Sequence, residues 1–333
     1  SFLKNLGIKK GDRVCAYMPN IIETVELFLG TSAQGAIWSS CSPDFGINGV
    51  IERFSQIKPK ILFVIDRYFY NGKEINVQKR IPDILKKIPS IKDIVIIKYP
   101  GKKLIKQKFK LNKIKLHYFD KIKFKKKLIL NKWTKFNFEH PLSILYSSGT
   151  TGKPKCICHR TGGVLIQHKK EHLLHCDIKE NDNVFYFTTC GWMMWNWLIS
   201  VLSLKASIVL FDGSPMYKNE ELLLKLANRE KVTLFGISAK YIDSLKKSKP
   251  KLKYKYSLKK LRTICSTGSP LSDNGFRYVY NHIKKDVHLA SISGGTDIVS
   301  CFVLGNLYQP VNSGEIQNQG LGMDVDIFDD RGN

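Results

Sequence analysis

The stretch that decides the fold is L-S-I-L-Y-S-S-G-T-T-G-K-P-K, residues 142–155. Its first five residues form a short, largely apolar run, which is typical of a strand buried in a parallel sheet. The nine residues that follow contain two glycines, four small hydroxyl side chains and two lysines. Glycines let backbone N–H groups converge on an anion, and a lysine adds a point charge. The composition therefore suits a polyphosphate loop after a strand, although a simple turn also fits these residue types.

This loop differs from the Walker A loop of P-loop NTPases. The Walker motif reads G-x-x-x-x-G-K-[ST]. Here Gly149 and Gly152 are separated by only two residues, and Pro154 follows Lys153 where the motif requires a hydroxyl residue. The P-loop NTPase class is therefore excluded.

Strand and helix signals alternate on both sides of this stretch. Further strands are predicted at residues 13–18, 60–65, 93–97, 184–188, 206–211, 233–237, 261–266 and 287–292. Helices are predicted at residues 20–36, 47–57, 163–175, 195–204, 219–230 and 273–283. Short, continuously apolar strands that alternate with helices indicate an α/β fold with mostly parallel sheets.

The order of these signals predicts two tandem α/β subdomains. We expect the first over residues 1–178 and the second over residues 179–303. Residues 304–333 are rich in glycine and asparagine and contain the alternating piece D-V-D-I-F, which predicts the start of a small, truncated β-unit. The chain also begins at Ser1 without a basic and apolar leader, so we expect a fragment with no targeting segment.

The composition is that of a folded protein. Of the 333 residues, 43% are apolar and 11% are aromatic, which argues against disorder. The longest apolar stretch, residues 191–204, is too short to span a bilayer and predicts a buried helix. We therefore expect no membrane association.

The net charge of +26 raises the hypothesis of nucleic-acid binding. Fifteen lysines and one acid, Asp120, lie between Lys98 and Lys135, where alternating runs such as K-Q-K-F-K predict a β-ribbon with one lysine face. Interleaved aromatic residues would suit stacking on single strands. However, the chain has 45 lysines and only 9 arginines, whereas specific phosphate or base recognition favours arginine. We expect a solvated lysine face and no specific nucleic-acid partner.

The eight cysteines are scattered, and several lie in apolar runs, which predicts buried free thiols and a cytoplasmic location. One group of residues raises the alternative of a metal centre. It consists of Cys156, Cys158, His159, His168, His172, His175 and Cys176. No CxxC pair accompanies this group, and the histidines at near-helical spacing equally fit one face of a helix. The metal hypothesis is therefore the weaker one.

Three loops follow predicted strands, at the places where open parallel sheets bind ligands. The first loop is residues 147–155, the second is S-T-G-S-P at 266–270, and the third is S-G-G-T-D at 293–297. The second loop by itself requires only a turn. In the third, Asp297 could cap a helix or hold Mg²⁺ beside a phosphate.

In order and combination, these loops resemble those of the adenylate-forming superfamily, which includes acyl-CoA synthetases, luciferases and peptide-synthetase adenylation domains. The first loop is similar to that family's phosphate-loop signature nearly residue for residue, and the similarity extends from about Gly7 to the end of the chain. The resemblance implies the fold of the family's large N-terminal domain. It also implies that ATP, Mg²⁺, coenzyme A and a small carboxylic acid are bound.

The resemblance implies a role for each loop. The second loop would line the adenine pocket with Gly268, Ser269 and Pro270, although Ser293 stands where the family normally stacks an aromatic ring on adenine. The first loop would hold the β- and γ-phosphates of ATP. Its implied binding residues are Ser147, Ser148, Gly149, Thr150, Thr151, Gly152 and Lys153.

The third loop matches the family's catalytic turn. Thr296 stands near the position of the α-phosphate, and Asp297 stands where the Mg²⁺ ligand, more often glutamate, is expected. By the same resemblance, Gly295 would belong to both the nucleotide and the acyl site. The resemblance thus implies Lys153, Thr296 and Asp297 as catalytic residues.

Two segments are similar to one branch of the superfamily, the acetoacetyl-CoA synthetases. They are T-T-C-G-W-M-M-W-N-W at 188–197 and S-I-S-G-G-T-D-I at 291–298. This implies an acid–thiol ligase that activates acetoacetate as an acyl-adenylate and transfers it to coenzyme A. Trp192 matches an aromatic between acyl pocket and thiol tunnel. Gly294 stands where acetyl-CoA synthetases carry tryptophan, which would leave space for a longer acyl chain, with Gly295 beside it.

Two alternatives remain open at this point. The protein could be a CoA ligase for another short or medium acyl acid, because glycines alone do not distinguish acetoacetate from butyrate. It could also be a non-catalytic basic scaffold or RNA-binding protein. The family's ribose-binding aspartate and adenylation lysine are expected beyond Asn333, so we expect the C-terminal domain to be absent and this piece alone to be nearly inactive. The oligomeric state is not predicted.

Overall fold

The computed structural model of the protein describes residues 2–107, 109, 114–122, 134–148, 152–249, 252 and 254–333. It contains two compact units, which we treat separately. Unit 1 comprises Ser1–Val164, Thr188–Met193 and Leu210–Ser214, and unit 2 comprises Leu165–Phe187, Met194–Val209 and Pro215–Asn333. The domain boundaries predicted after residues 178 and 303 stay predictions.

Unit 1 is built on a seven-stranded sheet and a short hairpin. Its strands are β1 (Arg13–Tyr17), β2 (Ile37–Cys41), β3 (Ile61–Ile65), β4 (Arg67–Tyr70), β5 (Lys73–Asn76), β6 (Asp93–Ile97), β7 (Lys115–Tyr118), β8 (Pro141–Ser147) and β9 (Lys155–Arg160). The sheet order is β7-β6-β3-β1-β2-β8-β9, with β4 and β5 paired separately. All neighbours in the large sheet are parallel except β8 and β9, which are antiparallel.

The predicted strand at 60–65 shows why this sheet forms. All five residues of β3 are fully buried, so both faces of the strand are covered. A parallel strand of this kind selects apolar residues at every position rather than at alternate ones. Burying each such side chain contributes about 1.5–3 kcal/mol. The central strands therefore hold the carboxyl-end loops in place.

The helices that precede the first loop in the described part of unit 1 are α1 (Phe2–Asn5), α2 (Ile22–Ala33), α3 (Ile47–Ile57) and α4 (Ile81–Lys87). The helix predicted over residues 20–36 is α2, which begins two residues later, after Ile21, and no side chain caps it. Asn20 instead donates from Nδ2 to Phe211 O at 3.4 Å, within the same unit. α5 (Thr161–Lys170) comes after β9 and continues as a π-helical turn, Glu171–His175.

Unit 2 contains a five-stranded parallel sheet and a small antiparallel sheet. Its strands are β10 (Asn183–Tyr186), β11 (Ser207–Val209), β12 (Leu234–Ser238), β13 (Thr263–Thr267), β14 (His288–Ser291), β15 (Ser293–Gly295), β16 (Ser300–Leu304) and β17 (Asn318–Gln319). The parallel order is β11-β10-β12-β13-β14, and the antiparallel order is β15-β16-β17. The predicted α/β class with mostly parallel sheets is thus confirmed.

The remaining helices are α6 (Met193–Ser200), α7 (Leu222–Arg229), α8 (Ala239–Ser248) and α9 (Asp273–Tyr278). The buried helix predicted from the apolar stretch is α6, in which Trp195, Trp197 and Leu198 are almost fully buried. Among the described residues, no helix combines the length and apolar character that crossing a bilayer requires.

The lysine-rich segment is described only in part, and two residues of the run K-Q-K-F-K at 106–110 lie outside the described residues. At 115–118 the segment forms β7, a parallel strand in which Leu116 pairs with Ile94 of β6, rather than part of a β-ribbon. The apolar side chains of the alternation thus extend an existing sheet. The piece D-V-D-I-F at 324–328 forms no strand there, and the side chain of Ile327 is exposed to solvent.

Candidate active site

The first loop connects two antiparallel strands of unit 1. Ser147, the last residue of β8, pairs with Lys155, the first residue of β9. Gly149, Thr150 and Thr151 lie outside the described residues. Gly152 has a φ of +150°, which L-residues rarely adopt. The flanking side chains of Ser148 and Lys153 are exposed, so a hydroxyl and an ammonium group are available to a ligand.

The base of this loop is held by hydrogen bonds from residues of β2 and α3. The Tyr146 hydroxyl lies 3.0 Å from Ser39 Oγ, which in turn donates to Ile144 O at 2.9 Å. Burial raises the pKa of Tyr146, so its hydroxyl stays protonated and donates. On the far side of the loop, Gln56 donates from Nε2 to Pro154 O at 2.9 Å. Both ends of the loop are therefore anchored.

The Trp192 turn lies at the same edge of the sheet in unit 1. Trp192 N donates to Thr189 O at 3.0 Å, and Cys190 O accepts from Ser40 Oγ at 2.6 Å. A Cβ on Gly191 would come within 2.9 Å of the Phe45 ring, so the ring would have to shift to admit a side chain there. Because β2 and β8 are parallel neighbours, the structure brings the Trp192 turn and the first loop to one edge.

Sequence reasoning missed an acid in this region. Tyr99 OH donates to Asp212 Oδ2 at 3.0 Å. Burial, with a smaller contribution from the charge of Asp44, raises the pKa of Asp212 to about 6. A carboxyl group that titrates near neutrality at a sheet edge is a candidate for proton transfer. The sequence feature that could have indicated Asp212 is its position directly after the strand predicted at 206–211.

In unit 2 the second and third loops lie side by side. They follow β13 and β14, which are parallel neighbours. Ile292 N donates to Ser266 O at 2.8 Å, and Thr267 Oγ1 donates to Ile292 O at 2.9 Å. Gly268 has a φ of +87°, which turns the chain away from β13. The structure thus brings Gly268, Ser269 and Pro270, all exposed, next to residues 293–297.

The third loop begins with β15, and its last two residues, Thr296 and Asp297, belong to a tight turn between β15 and β16. Val299 N donates to Thr296 O at 3.3 Å and closes the turn. Thr296 is half-buried, and Asp297 is exposed. A hydroxyl and a carboxylate are oxygen donors of the kind that Mg²⁺ prefers, and Mg²⁺ commonly uses one or two carboxylates together with substrate phosphates. These two residues therefore fit a magnesium ion held partly by a nucleotide.

The two glycines of the third loop differ in what surrounds them. A Cβ on Gly294 would lie 2.0 Å from Ser300 O and 2.7 Å from Cys301 Cα. A Cβ on Gly295 would meet no atom nearer than 3.8 Å, where the Phe302 ring lies. The close approach of β15 to β16 therefore requires glycine at position 294, whatever the size of the acyl pocket.

We expect Gly294→Ala to destabilise the protein by about 3 kcal/mol, because backbone atoms have to move to admit the methyl group. Gly295→Ala is the matched control, with an expected change within about 0.5 kcal/mol. Urea unfolding of both variants measures the difference. Equal stability of the two variants would contradict the close strand approach.

Three of the four histidines considered for a metal centre, namely His168, His172 and His175, serve as hydrogen-bonding residues of unit 2. His168 Nδ1 and His172 Nε2 lie 2.9 and 2.8 Å from Ser200 Oγ, and His175 Nδ1 donates to Gly305 O at 2.8 Å. Burial lowers the pKa of His172 well below its usual range, so it stays neutral. Among the residues that the structure describes, no three His, Cys, Asp or Glu side chains cluster as metal ligands would.

This combination of strand-end loops defines the class of protein. The sequence matches the family described as AMP-binding enzyme over residues 1–333. The chain belongs to this family, and the resemblance to adenylate-forming enzymes is confirmed.

Comparison with individual proteins shows which members of this family the chain is similar to. The chain is 49% identical to the acetoacetyl-coenzyme A synthetase of Rhizobium meliloti (strain 1021), covering 99% of this chain and 50% of the relative. It is 46% identical to the acetoacetyl-CoA synthetase of Gallus gallus, with 99% and 50% covered. A solved structure, acetoacetyl-CoA synthetase from Streptomyces lividans, superposes with a TM-score of 0.88 at 36% identity, covering 100% of this chain and 50% of that one. The chain therefore spans about half the length of these relatives.

Proposed function

We propose that the full-length protein is an acid–thiol ligase that activates acetoacetate with ATP and transfers the acyl group to coenzyme A. The products are acetoacetyl-CoA, AMP and pyrophosphate. One observation carries the proposal: the whole chain is similar to acetoacetyl-CoA synthetases, at 49% identity to one of them. The loops at the strand ends supply residue types that suit each substrate.

The chemistry follows from the weakness of a carboxylate as an acyl donor. Its negative charge repels nucleophiles, and oxide does not leave. One carboxylate oxygen therefore attacks the α-phosphorus of ATP, and the bond from that phosphorus to pyrophosphate breaks. The thiol of coenzyme A then attacks the carbonyl carbon of the acyl-adenylate, and AMP leaves with the oxygen of the original acid. Positioning and charge neutralisation account for most of such a phosphoryl-transfer step.

Different residues of this chain bind different groups of ATP and its magnesium ion. The Lys153 ammonium and the Ser147 and Ser148 hydroxyls bind the outer phosphates, together with the loop residues between them. The Thr296 hydroxyl orients the α-phosphate, and the Asp297 carboxylate holds Mg²⁺. Magnesium, when bound, neutralises charge on the phosphate oxygens.

The remaining residues bind the organic parts of the substrates. Gly268, Ser269 and Pro270 line the adenine site. Trp192 bounds the acyl group and the path of the thiol, Gly295 leaves room for the acyl chain, and Gly294 contributes backbone to the same site. All eight cysteines, which lie within the described residues, are free thiols, and this supports a cytoplasmic location. Because acetoacetate is a ketone body, we also propose a role in ketone-body and lipid metabolism.

Acid-dependent ATP–pyrophosphate exchange by the full-length gene product tests this proposal. Acetoacetate, acetate, butyrate and a longer acid are compared at equal concentration. We expect the highest exchange rate with acetoacetate. A preference for another acid would keep the adenylating chemistry and reject the substrate. No exchange with any acid, together with salt-dependent RNA binding that ATP does not change, would favour a non-catalytic basic protein.

A further inference from the structure

The turn that carries Thr296 and Asp297 closes through a strained residue. Val299 has a φ of +51°, in the left-handed region. This conformation is unfavourable for a β-branched side chain, and such outliers persist only where the surrounding structure enforces them. Val299 is also buried, with only 2% of its surface exposed. Something in unit 2 therefore has to hold this turn.

A buried histidine makes the contact that holds it. His168 Nε2 lies 2.6 Å from Val299 O, and because a carbonyl oxygen only accepts, Nε2 is the donor. The ring is fully buried, and its other nitrogen, Nδ1, lies 2.9 Å from Ser200 Oγ. The imidazole is thus fixed at both ends, with one end on the strained peptide.

A buried carboxylate holds the residues that follow the turn. Glu171, fully buried, accepts from the Ser300 hydroxyl and, at Oε1, from Cys301 N at 3.1 Å. Its Oε2 accepts from Trp197 Nε1 at 2.8 Å. Hydrogen bonds to a carboxylate are roughly twice as strong as neutral ones. Residues 299, 300 and 301 are thus held one after another by α5 and the π-helical turn that extends it.

We propose that His168 and Glu171 are positioning residues for the adenylation step, which hold the turn of residues 296–299 in its strained conformation and thereby fix the Thr296 hydroxyl and the Asp297 carboxylate. The inference rests on the proposed function. Neither residue is assigned contact with substrate, since each acts through the backbone of the turn.

His175 provides a matched control on the same helical segment. It donates from Nδ1 to Gly305 O at 2.8 Å and accepts from Leu321 N at 3.1 Å. Like His168 it is buried, and it also joins the segment to backbone beyond β15, but both of these hydrogen bonds go to residues outside the turn of 296–299. A merely structural role would make the two histidines equivalent.

The first experiment separates the two half-reactions in the full-length protein. In His168→Ala we expect the rate of ATP–pyrophosphate exchange to fall about tenfold, as for residues that orient metal ligands, and the half-saturating Mg²⁺ concentration to rise. Thioester formation from a preformed acyl-adenylate should change less than about twofold, because that step needs no pyrophosphate-bound Mg²⁺. His175→Ala should not show this split. Equal losses in both half-reactions, or equal behaviour of the two variants, would overturn the inference.

The second experiment is a rescue. Glycine adopts a φ of +51° without steric cost. In the Val299→Gly variant the turn therefore no longer requires the hydrogen bond from His168. We expect Val299→Gly to restore most of the exchange rate lost in His168→Ala, and to have little effect alone. His168→Gln, which keeps a donor close to the Nε2 position, should retain more activity than the alanine variant and replaces it if the latter does not fold. Failure of Val299→Gly to restore exchange would overturn the inference.

Amide hydrogen exchange keeps this test distinct from the test of the proposed function. We expect faster exchange at residues 297–300 in His168→Ala than in wild type, and unchanged exchange there in His175→Ala. A wild-type protein without activity on any acid would reject the proposed function, and the amide rates would still decide whether His168 holds the turn. Unchanged amide rates at 297–300 in His168→Ala would reject the inference by themselves.

Discussion

Asp297→Asn should lower acid-dependent ATP–pyrophosphate exchange by about 100- to 1,000-fold in kcat, the range found when one preorganised electrostatic group is removed from a site. The substitution keeps the size of the side chain and removes the negative charge that we propose holds Mg²⁺. Asp297 is exposed, so the loss should not come from unfolding. Exchange measured across a series of Mg²⁺ concentrations, with thermal unfolding in parallel, checks both points.

Two control variants make this result specific. Asp297→Glu keeps an anionic oxygen ligand and should retain activity within about tenfold of wild type. Asp326→Asn removes the same charge from another exposed aspartate and should leave exchange unchanged. If Asp297→Asn retains wild-type exchange at low Mg²⁺, the residue is not the ligand.

Lys153→Ala should lower kcat/KM for ATP about 100-fold, with a smaller effect on the KM for the acid. The variant loses the charge-assisted contact that we propose Lys153 makes to phosphate, and such contacts are stronger than neutral hydrogen bonds. Lys155→Ala is a close control, because Lys155 is also exposed but pairs with Ser147 in the β8–β9 ladder. Initial rates over a range of ATP concentrations separate kcat from KM. Equal losses in both variants would indicate general attraction of ATP to a basic surface instead of a specific contact.

The sequence predicted most accurately those elements in which every position is buried and therefore carries an apolar residue. β3 is apolar at every position because both faces are covered, and α6 is apolar for the same reason. β2 and β9 were missed. β2 contains two buried serines, which hydrogen bonds satisfy, and β9 is an edge strand with exposed cysteines that interrupt the apolar pattern.

The sequence predicted those parts of the candidate site that consist of consecutive residues. Each of the three loops directly follows a strand, so a short motif sufficed to find it. The contacts that support the loops join distant residues. Glu171 and Ser300 are 129 positions apart, and Tyr99 and Asp212 are 113 apart, so no local pattern indicates either pair. The strain at Val299 is likewise a property of the folded turn, since an isolated valine gives no sign of a positive φ.

The central claim is that the full-length protein activates an acid by transferring AMP to it. The most direct test is to incubate the full-length protein with ATP labelled at the α-phosphate, acetoacetate, coenzyme A and Mg²⁺, and to quantify nucleotides and thioester together. We predict AMP and acetoacetyl-CoA in equal amounts, with AMP formation dependent on acetoacetate. Release of ADP in place of AMP, or AMP formation that is independent of any acid, would contradict the account.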